Sequence, residues 1–143
     1  MSLVVAIDFS SGTSALIDAV ADMAKPSESV YLVHVEEPDP DFVGFEPGPE
    51  SVKQHLVDKH DEAKRKLTEL ANNLSRTDIK ANIAILRGQT AKEIIAKADA
   101  EQARMIILGS HGHGALYDLL VGSVAEYVIR SCSLPVLLVP IKK

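Results

Sequence analysis

Four residues stand out for the chemistry their spacing permits: Gly109, Gly112, Gly122 and Ser123, separated by two residues, then nine, then none. The apolar run before them, Met105 to Leu108, reads as a buried strand, and beyond Ser123 the residues Val124, Val128, Ile129 and Cys132 recur at helical spacing. A glycine turn that leaves a parallel strand and enters a helix N-terminus can hold anionic oxygen. Amides there have no carbonyl of their own helix to bond, and the helix dipole favours negative charge. Phosphate is the ligand this pattern implies.

A second candidate is Asp8, which ends the first apolar run. An ionised carboxylate only accepts hydrogen bonds, so Asp8 can hold ribose hydroxyls or an adenine amino group, contact a metal, or cap the next helix. His111 and His113 form an HxH pair, but no Cys, Asp or Glu lies nearby in a ligand pattern, and two imidazoles leave a zinc site half built. No metal site formed by protein side chains alone is expected. Between Met105 and Ile129 there is no Lys or Arg. Fast phosphoryl transfer depends on cations set against developing charge, so this stretch is equipped to hold a phosphate tail and poorly equipped to cleave it. No lysine precedes Ser or Thr, which excludes a Walker A loop, and the dinucleotide GxGxxG is absent. No nucleophile elbow, Cys/His set or paired carboxylates offers another reaction, so no catalytic residue is assigned.

The elements that must position these residues follow from hydrophobic period and punctuation. Leu3 to Ile7 reads as a buried strand and FSSGTS as a turn. A helix then starts near Ser11 or Thr13 with Ala15, Leu16, Ala19, Val20 and Met23 on its inner face, and Pro26 stops it. Ser29 to Val35 is the next strand. Residues 36 to 50, EEPDPDFVGFEPGPE, read as a mobile loop in which Phe42, Val43 and Phe45 could close over a ligand or touch a partner. Ser51 to Leu74 is a long amphipathic helix with Val52, Leu56, Ala63, Leu67, Leu70, Ala71 and Leu74 inward, His60 on the stripe and His55 beside it. Lys80 to Leu86 is a strand, and Arg87-Gly88 turns into a helix capped by Thr90 with Glu93 three residues on. The strand at Met105, the helix from Ser123 and a closing strand Val136 to Val139 complete the order βαβαβαβαβ. Continuously apolar strands separated by helices imply a parallel sheet covered on both faces, and right-handed crossovers make it a doubly wound α/β fold.

The spacing of Gly109, Gly112, Gly122 and Ser123, with the Ser-His insert and the following GSVAEYVIRSCSLPVLLVP, closely resembles the nucleotide-binding signature of the universal stress protein family. The likeness extends from VVAIDFS at the front to PVLLVP at the end, the whole chain as one domain, 1–143. It implies a Rossmann-like, adenine nucleotide alpha hydrolase-like fold with five parallel strands in the order 3-2-1-4-5. Strands one and four then meet at the switch point where such sheets bind ligands. It also implies ATP or another adenine nucleotide, with Mg²⁺ carried by the phosphates. The backbone of Ala6, Ile7 and Val35 would seat the purine and Asp8 would contact the nucleotide. Gly109 and Gly112 would approach the ribose and phosphates with His111 beside the phosphates, Gly122 and Ser123 would hold the phosphate tail, and Leu108 and Val124 would complete the nucleotide site. A homodimer through Val136 to Val139 is expected from the same resemblance, with an unidentified regulatory protein as further partner. The function implied is a nucleotide-responsive stress regulator with little or no turnover. A slow ATPase or nucleotide-transferring enzyme, and a dimeric module that binds no nucleotide, are the alternatives on the same scaffold.

Composition agrees with a single domain and narrows the partners. The chain has 143 residues, 46% hydrophobic and 24% charged, with 4% aromatic and no Trp, so the core is aliphatic and large enough to be stable. A formal charge of −5 with no basic block argues against nucleic acid, whose phosphates would be repelled. The front lacks a basic region, Asp8 interrupts it, and no apolar run approaches bilayer length, so neither a signal peptide nor a membrane span is expected. A single cysteine, Cys132, suits a reducing cytoplasm and is expected to pack.

Overall fold

The computed structural model describes residues 1–38, 50–110 and 121–141, and for residues 50–52 the backbone alone. The elements are β1 (Ser2–Ala6), α1 (Thr13–Met23), β2 (Ser29–Glu36), α2 (Glu50–Ser75), β3 (Lys80–Arg87), α3 (Thr90–Ala100), β4 (Ala103–Gly109), α4 (Ser123–Ser131) and β5 (Val136–Val139). Every ladder is parallel and the strand order is 3-2-1-4-5, as the resemblance implied. The ends of β2, β1 and β4 therefore lie side by side. The loop residues Phe42, Val43 and Phe45, and His111, Gly112 and His113, lie outside the described residues.

Strand side chains alternate between two cores, one on each face of the sheet. Leu3, Val5, Ile7, Val30, Leu32 and Ile107 pack with Leu16 and Val20 of α1 and Leu67, Ala71 and Leu74 of α2. Val4, Val33, Ile106 and Leu108 pack on the other side with Ala91, Ile94 and Ala98 of α3 and Ala125 and Val128 of α4. Leu3, Leu32, Leu67 and Ile106 are completely buried, each contributing about 1.5–3 kcal/mol of transfer free energy.

Several inward positions differ from the sequence reading. Met23 is exposed, because it is the last residue of α1 and stands past the sheet, where its carbonyl accepts from Arg104. Leu56 is 41% exposed. Helix α2 is 26 residues long and spans about 39 Å, whereas the eight-residue β3 spans about 26 Å. Its burial begins only at Ala63, and the turns before that outrun the sheet. In α4 the inner residues are Ala125 and Val128, while Val124 and Ile129 point outward at 36% and 46% exposure. The true stripe is i, i+3, with Cys132 packed below it and its Sγ accepting from Leu134 N at 3.3 Å. His60 stands at the rim, 3.0 Å from Glu36 Oε1.

Helix α3 is capped from elsewhere in the chain. Its N-cap is Gln89, which makes no side-chain cap bond, and Thr90 lies one position inside. The amide and hydroxyl of Thr90 donate to Glu37 Oε1 at 3.0 and 2.7 Å, so a carboxylate from the end of β2 does the work expected of Thr90. These bonds hold the Glu37 carboxyl below its ordinary pKa. Glu93 folds back over Gly88, whose φ of +144° and lack of Cβ make room for it.

The amino end of the sheet is closed by a buried ion pair. β1 and β4 change register between Ser2↔Ala103 and Leu3↔Met105, which leaves Arg104 as an extra residue aimed out of the ladder. Its guanidinium donates to both oxygens of Glu28, at 2.5 and 2.9 Å, and to Met23 O at 3.0 Å. Glu28 also accepts from Lys25 N at 3.1 Å. The hydrogen bond from Arg104 holds the Glu28 carboxyl below its ordinary value against the opposing effect of burial.

Candidate functional site

At the carboxyl end of β1 the chain leaves the sheet through a strained turn. Ile7 N still donates to Val33 O at 2.7 Å, and Phe9 then adopts φ of +60°, a left-handed conformation costly for a bulky residue. Asp8 Oδ1 accepts from Ser10 N at 2.9 Å, while Ser10 O accepts from both the amide and the hydroxyl of Thr13 at 3.1 and 2.9 Å. One oxygen of Asp8 thus fixes the turn ahead of α1 and does not cap the helix, whose N-cap, Gly12, has no side-chain cap bond. The carboxylate stays half-buried at the crevice.

The sequence reading missed what holds Phe9 there. His34 of β2 donates from Nδ1 to Ile7 O at 2.8 Å; a carbonyl only accepts, so Nδ1 carries the proton. Its ring lies 4.7 Å from that of Phe9, and Lys66 Nζ of α2 stands 5.3 Å from the Phe9 centroid. A polar residue on the face of β2 that also carries Val30 and Leu32 was the available signal.

At the end of β4, Leu108 is 3% exposed and Gly109 pairs with Val139 of β5. Ser110 then bonds through three atoms: its amide donates to Val139 O at 2.9 Å, its carbonyl accepts from Gly122 N at 2.6 Å, and its Oγ accepts from Ile141 N at 3.1 Å. The Ser110–Gly122 bond ties the end of β4 to the start of α4, a neck that delivers Gly122 as the N-cap of α4, in extended conformation with no side-chain cap. The first helical bond is Glu126 N to Gly122 O at 2.9 Å. The amides of Ser123, Val124 and Ala125 therefore have no carbonyl within their own helix. Ser123 and Val124 are exposed.

Sheet order thus brings Ala6, Ile7 and Asp8 between Val35 on one side and Leu108 and Gly109 on the other, with Gly122, Ser123 and Val124 tied to the latter by the neck. Ala6 and Val35 are half-buried and Ile7 is 3% exposed. His111 and Gly112 complete the set of expected residues and lie outside those described. Amides at a helix start, an acidic side chain and apolar strand ends can hold an anion joined to a flat apolar ring. Among the described residues, no group of three or more His, Cys, Asp or Glu is placed to hold a metal ion, and no helix is long and apolar enough to cross a membrane.

Comparisons with known proteins agree with this fold. Residues 1–140 match the model of the Universal stress protein family. Universal stress protein MJ0531 of Methanocaldococcus jannaschii is 34% identical over 112 residues, which cover 77% of this chain and 64% of that protein, just under two thirds of its length. Universal stress protein MJ0577 of the same organism is 34% identical over 125 residues, covering 79% and 77%. A solved structure of MJ0577 superposes with a TM-score of 0.87 at 30% identity, covering 99% of this chain and 96% of the other. A universal stress protein from Archaeoglobus fulgidus, solved in complex with dAMP, shares the fold at a TM-score of 0.69 and 22% identity over 97% of each chain. With the matched model spanning almost every residue, the chain belongs to the universal stress protein family.

Proposed function

We propose that this chain binds an adenine nucleotide, ATP with Mg²⁺ in the first instance, at the crevice between β1 and β4, and acts as a nucleotide-responsive regulator in the stress response. The observation that carries the reading is the start of α4. Three successive amides there lack a helical partner, and the Ser110–Gly122 bond fixes the N-cap that presents them. The Archaeoglobus fulgidus relative in complex with dAMP supports the ligand class. In this reading Ser123 and Val124 meet phosphate through their amides, with Gly109, Gly112 and His111 beside them. The purine rests against Ala6, Ile7, Val35 and Leu108, and the Asp8 oxygen not bonded to Ser10 accepts from ribose. Mg²⁺ is held by the phosphates, since the described residues supply no carboxylate cluster.

Turnover is little or none. No Lys or Arg occurs between Met105 and Ile129, and Arg104 is committed to Glu28 at the opposite end of the sheet. Fast phosphoryl transfer relies on cations set against the charge that develops in the transition state, which this stretch does not supply. The regulatory output fits a homodimer through β5, an edge strand of four half-buried apolar residues bracketed by Pro135 and Pro140, which would cover that edge.

A thermal-shift titration tests the reading. ATP at about 100 times its dissociation constant should add roughly 2.7 kcal/mol to the unfolding free energy. Ser123→Pro should weaken this shift and leave the fold intact, since Pro at the first helical position removes one amide donor at a point where the helix tolerates it. Asp8→Ala should weaken it as well. No shift at millimolar ATP, or full shifts in both variants, would refute nucleotide binding. ADP accumulating above background in the wild type and vanishing in these variants would replace the regulator by a slow ATPase.

A further inference from the structure

The tail beyond β5 reaches back into the candidate site. Ile141 N donates to Ser110 Oγ at 3.1 Å, directly after Val139 O has accepted from Ser110 N at 2.9 Å. On its other side Ile141 lies against Gly12, the N-cap of α1, so closely that a Cβ on Gly12 would fall 2.2 Å from Ile141 Cδ1, 2.9 Å from Cγ1 and 3.0 Å from Cγ2. Gly12 has φ of −85° and ψ of 0°, which alanine adopts without strain. The glycine is needed there for space, not for conformation. Ile141 is therefore wedged between the start of α1 and Ser110. Ser110 in turn holds Gly122, and Gly122 sets the origin of α4.

We propose that Ser110 and Ile141 are positioning residues: the tail of β5, seated on Gly12, fixes through Ser110 the neck that presents the α4 amides to phosphate. Its consequence for affinity rests on the nucleotide reading above; its consequence for the neck does not. The edge strand and the start of α4 then form one mechanical unit, and a disturbance at α1 is felt at α4 although no residue of α1 belongs to the site.

Gly12→Ala is the test, with Gly12→Ala/Ile141→Ala as rescue, because the shorter side chain gives back the space the new Cβ takes. Ser110→Ala removes the hydroxyl, and Ser110→Thr keeps it. Two quantities are read in each folded variant: hydrogen exchange at the Gly122 amide, and ATP affinity by calorimetry. The proposal expects exchange at Gly122 to quicken in Gly12→Ala and Ser110→Ala and to return towards wild type in the double variant and in Ser110→Thr. Affinity should fall roughly twofold to thirtyfold in the first two and recover in the latter pair, the range seen for coupling carried by packed contacts. Unchanged exchange in both single variants overturns the proposal, as does faster exchange with unchanged affinity in a protein that binds ATP. If wild type binds no ATP while Gly122 exchange follows the expected pattern, the nucleotide reading falls and the latch stands.

Discussion

Replacing Arg104 by Met should be among the most damaging single changes outside the apolar core. Glu28 has only 3% of its side chain exposed and Arg104 has 15%, so the pair is little screened by water. The substitution preserves much of the side-chain volume and leaves the Glu28 carboxylate buried with one remaining donor, Lys25 N at 3.1 Å. Breaking a buried pair in this way costs about 3–5 kcal/mol. Total stability for a domain is about 5–15 kcal/mol, so about a fifth or more of it is at stake. In the wild type, Arg104 holds Glu28 below the ordinary glutamate value of 4.5. That contribution is complete above this value and is lost as pH falls through the folded pKa. In Arg104→Met the largest lowering influence is gone and burial is opposed by Lys25 alone, so the folded pKa of Glu28 rises and the stability it contributed above the unfolded value shrinks. The two proteins must therefore diverge from acid to neutral pH. Urea denaturation followed by circular dichroism, at pH 4 and pH 7, measures the gap. A deficit below about 1 kcal/mol at pH 7, or an equal deficit at both pH values, would refute the reasoning. Glu28→Leu combined with Arg104→Met should recover most of the loss, because an apolar pair carries no desolvation cost.

Three further outcomes follow from the same geometry. Glu37→Ala should destabilise by at most about 1 kcal/mol, the worth of a lost cap at a solvent-exposed position, and salt should reduce the effect. Because Glu37 titrates below its ordinary value of 4.5 when folded, its contribution is present above that pH and fades as pH falls through the folded pKa, measurable as a pH-dependent urea midpoint. Gly88→Ala should cost more than about 1 kcal/mol, and Glu93→Ala should not rescue it, because φ of +144° strains any side chain whatever the space. Leu67→Ala, at a completely buried position on the inner face of α2, should cost about 2–5 kcal/mol by the same denaturation assay and leave the Gly122 exchange rate below global unfolding unchanged.

What the sequence made legible was periodic or punctuated. The apolar runs at Leu3, Val30 and Ile106, and the glycines at 109 and 122, announce strands and a helix entry through local pattern alone. The strand order came from family resemblance, since hydrophobic period is the same whichever neighbour a strand pairs with. The misread positions share a cause, namely contacts set by tertiary geometry. Whether Leu56 is inside depends on where α2 outruns β3, and whether Thr90 caps α3 depends on a carboxylate 53 residues away. His34 and Ile141 escaped for the same reason. Neither belongs to a motif, and each matters through a partner brought near only by the fold, Phe9 in one case and Ser110 in the other.

The adjacent carboxylates at the end of β2 have a bearing on how this protein tolerates insertions. Glu36 reaches His60 on α2 and Glu37 reaches Thr90 on α3, so two consecutive side chains stitch together helices lying on opposite sides of the sheet. Because neighbours in a strand alternate sides, one added residue between Val35 and Glu36 would deliver each carboxylate to the wrong layer, while two added residues would restore the sides at the cost of reach. Length variation between related chains is thus better absorbed after Glu37 than before Glu36, and a grafted segment placed there leaves both layers fastened.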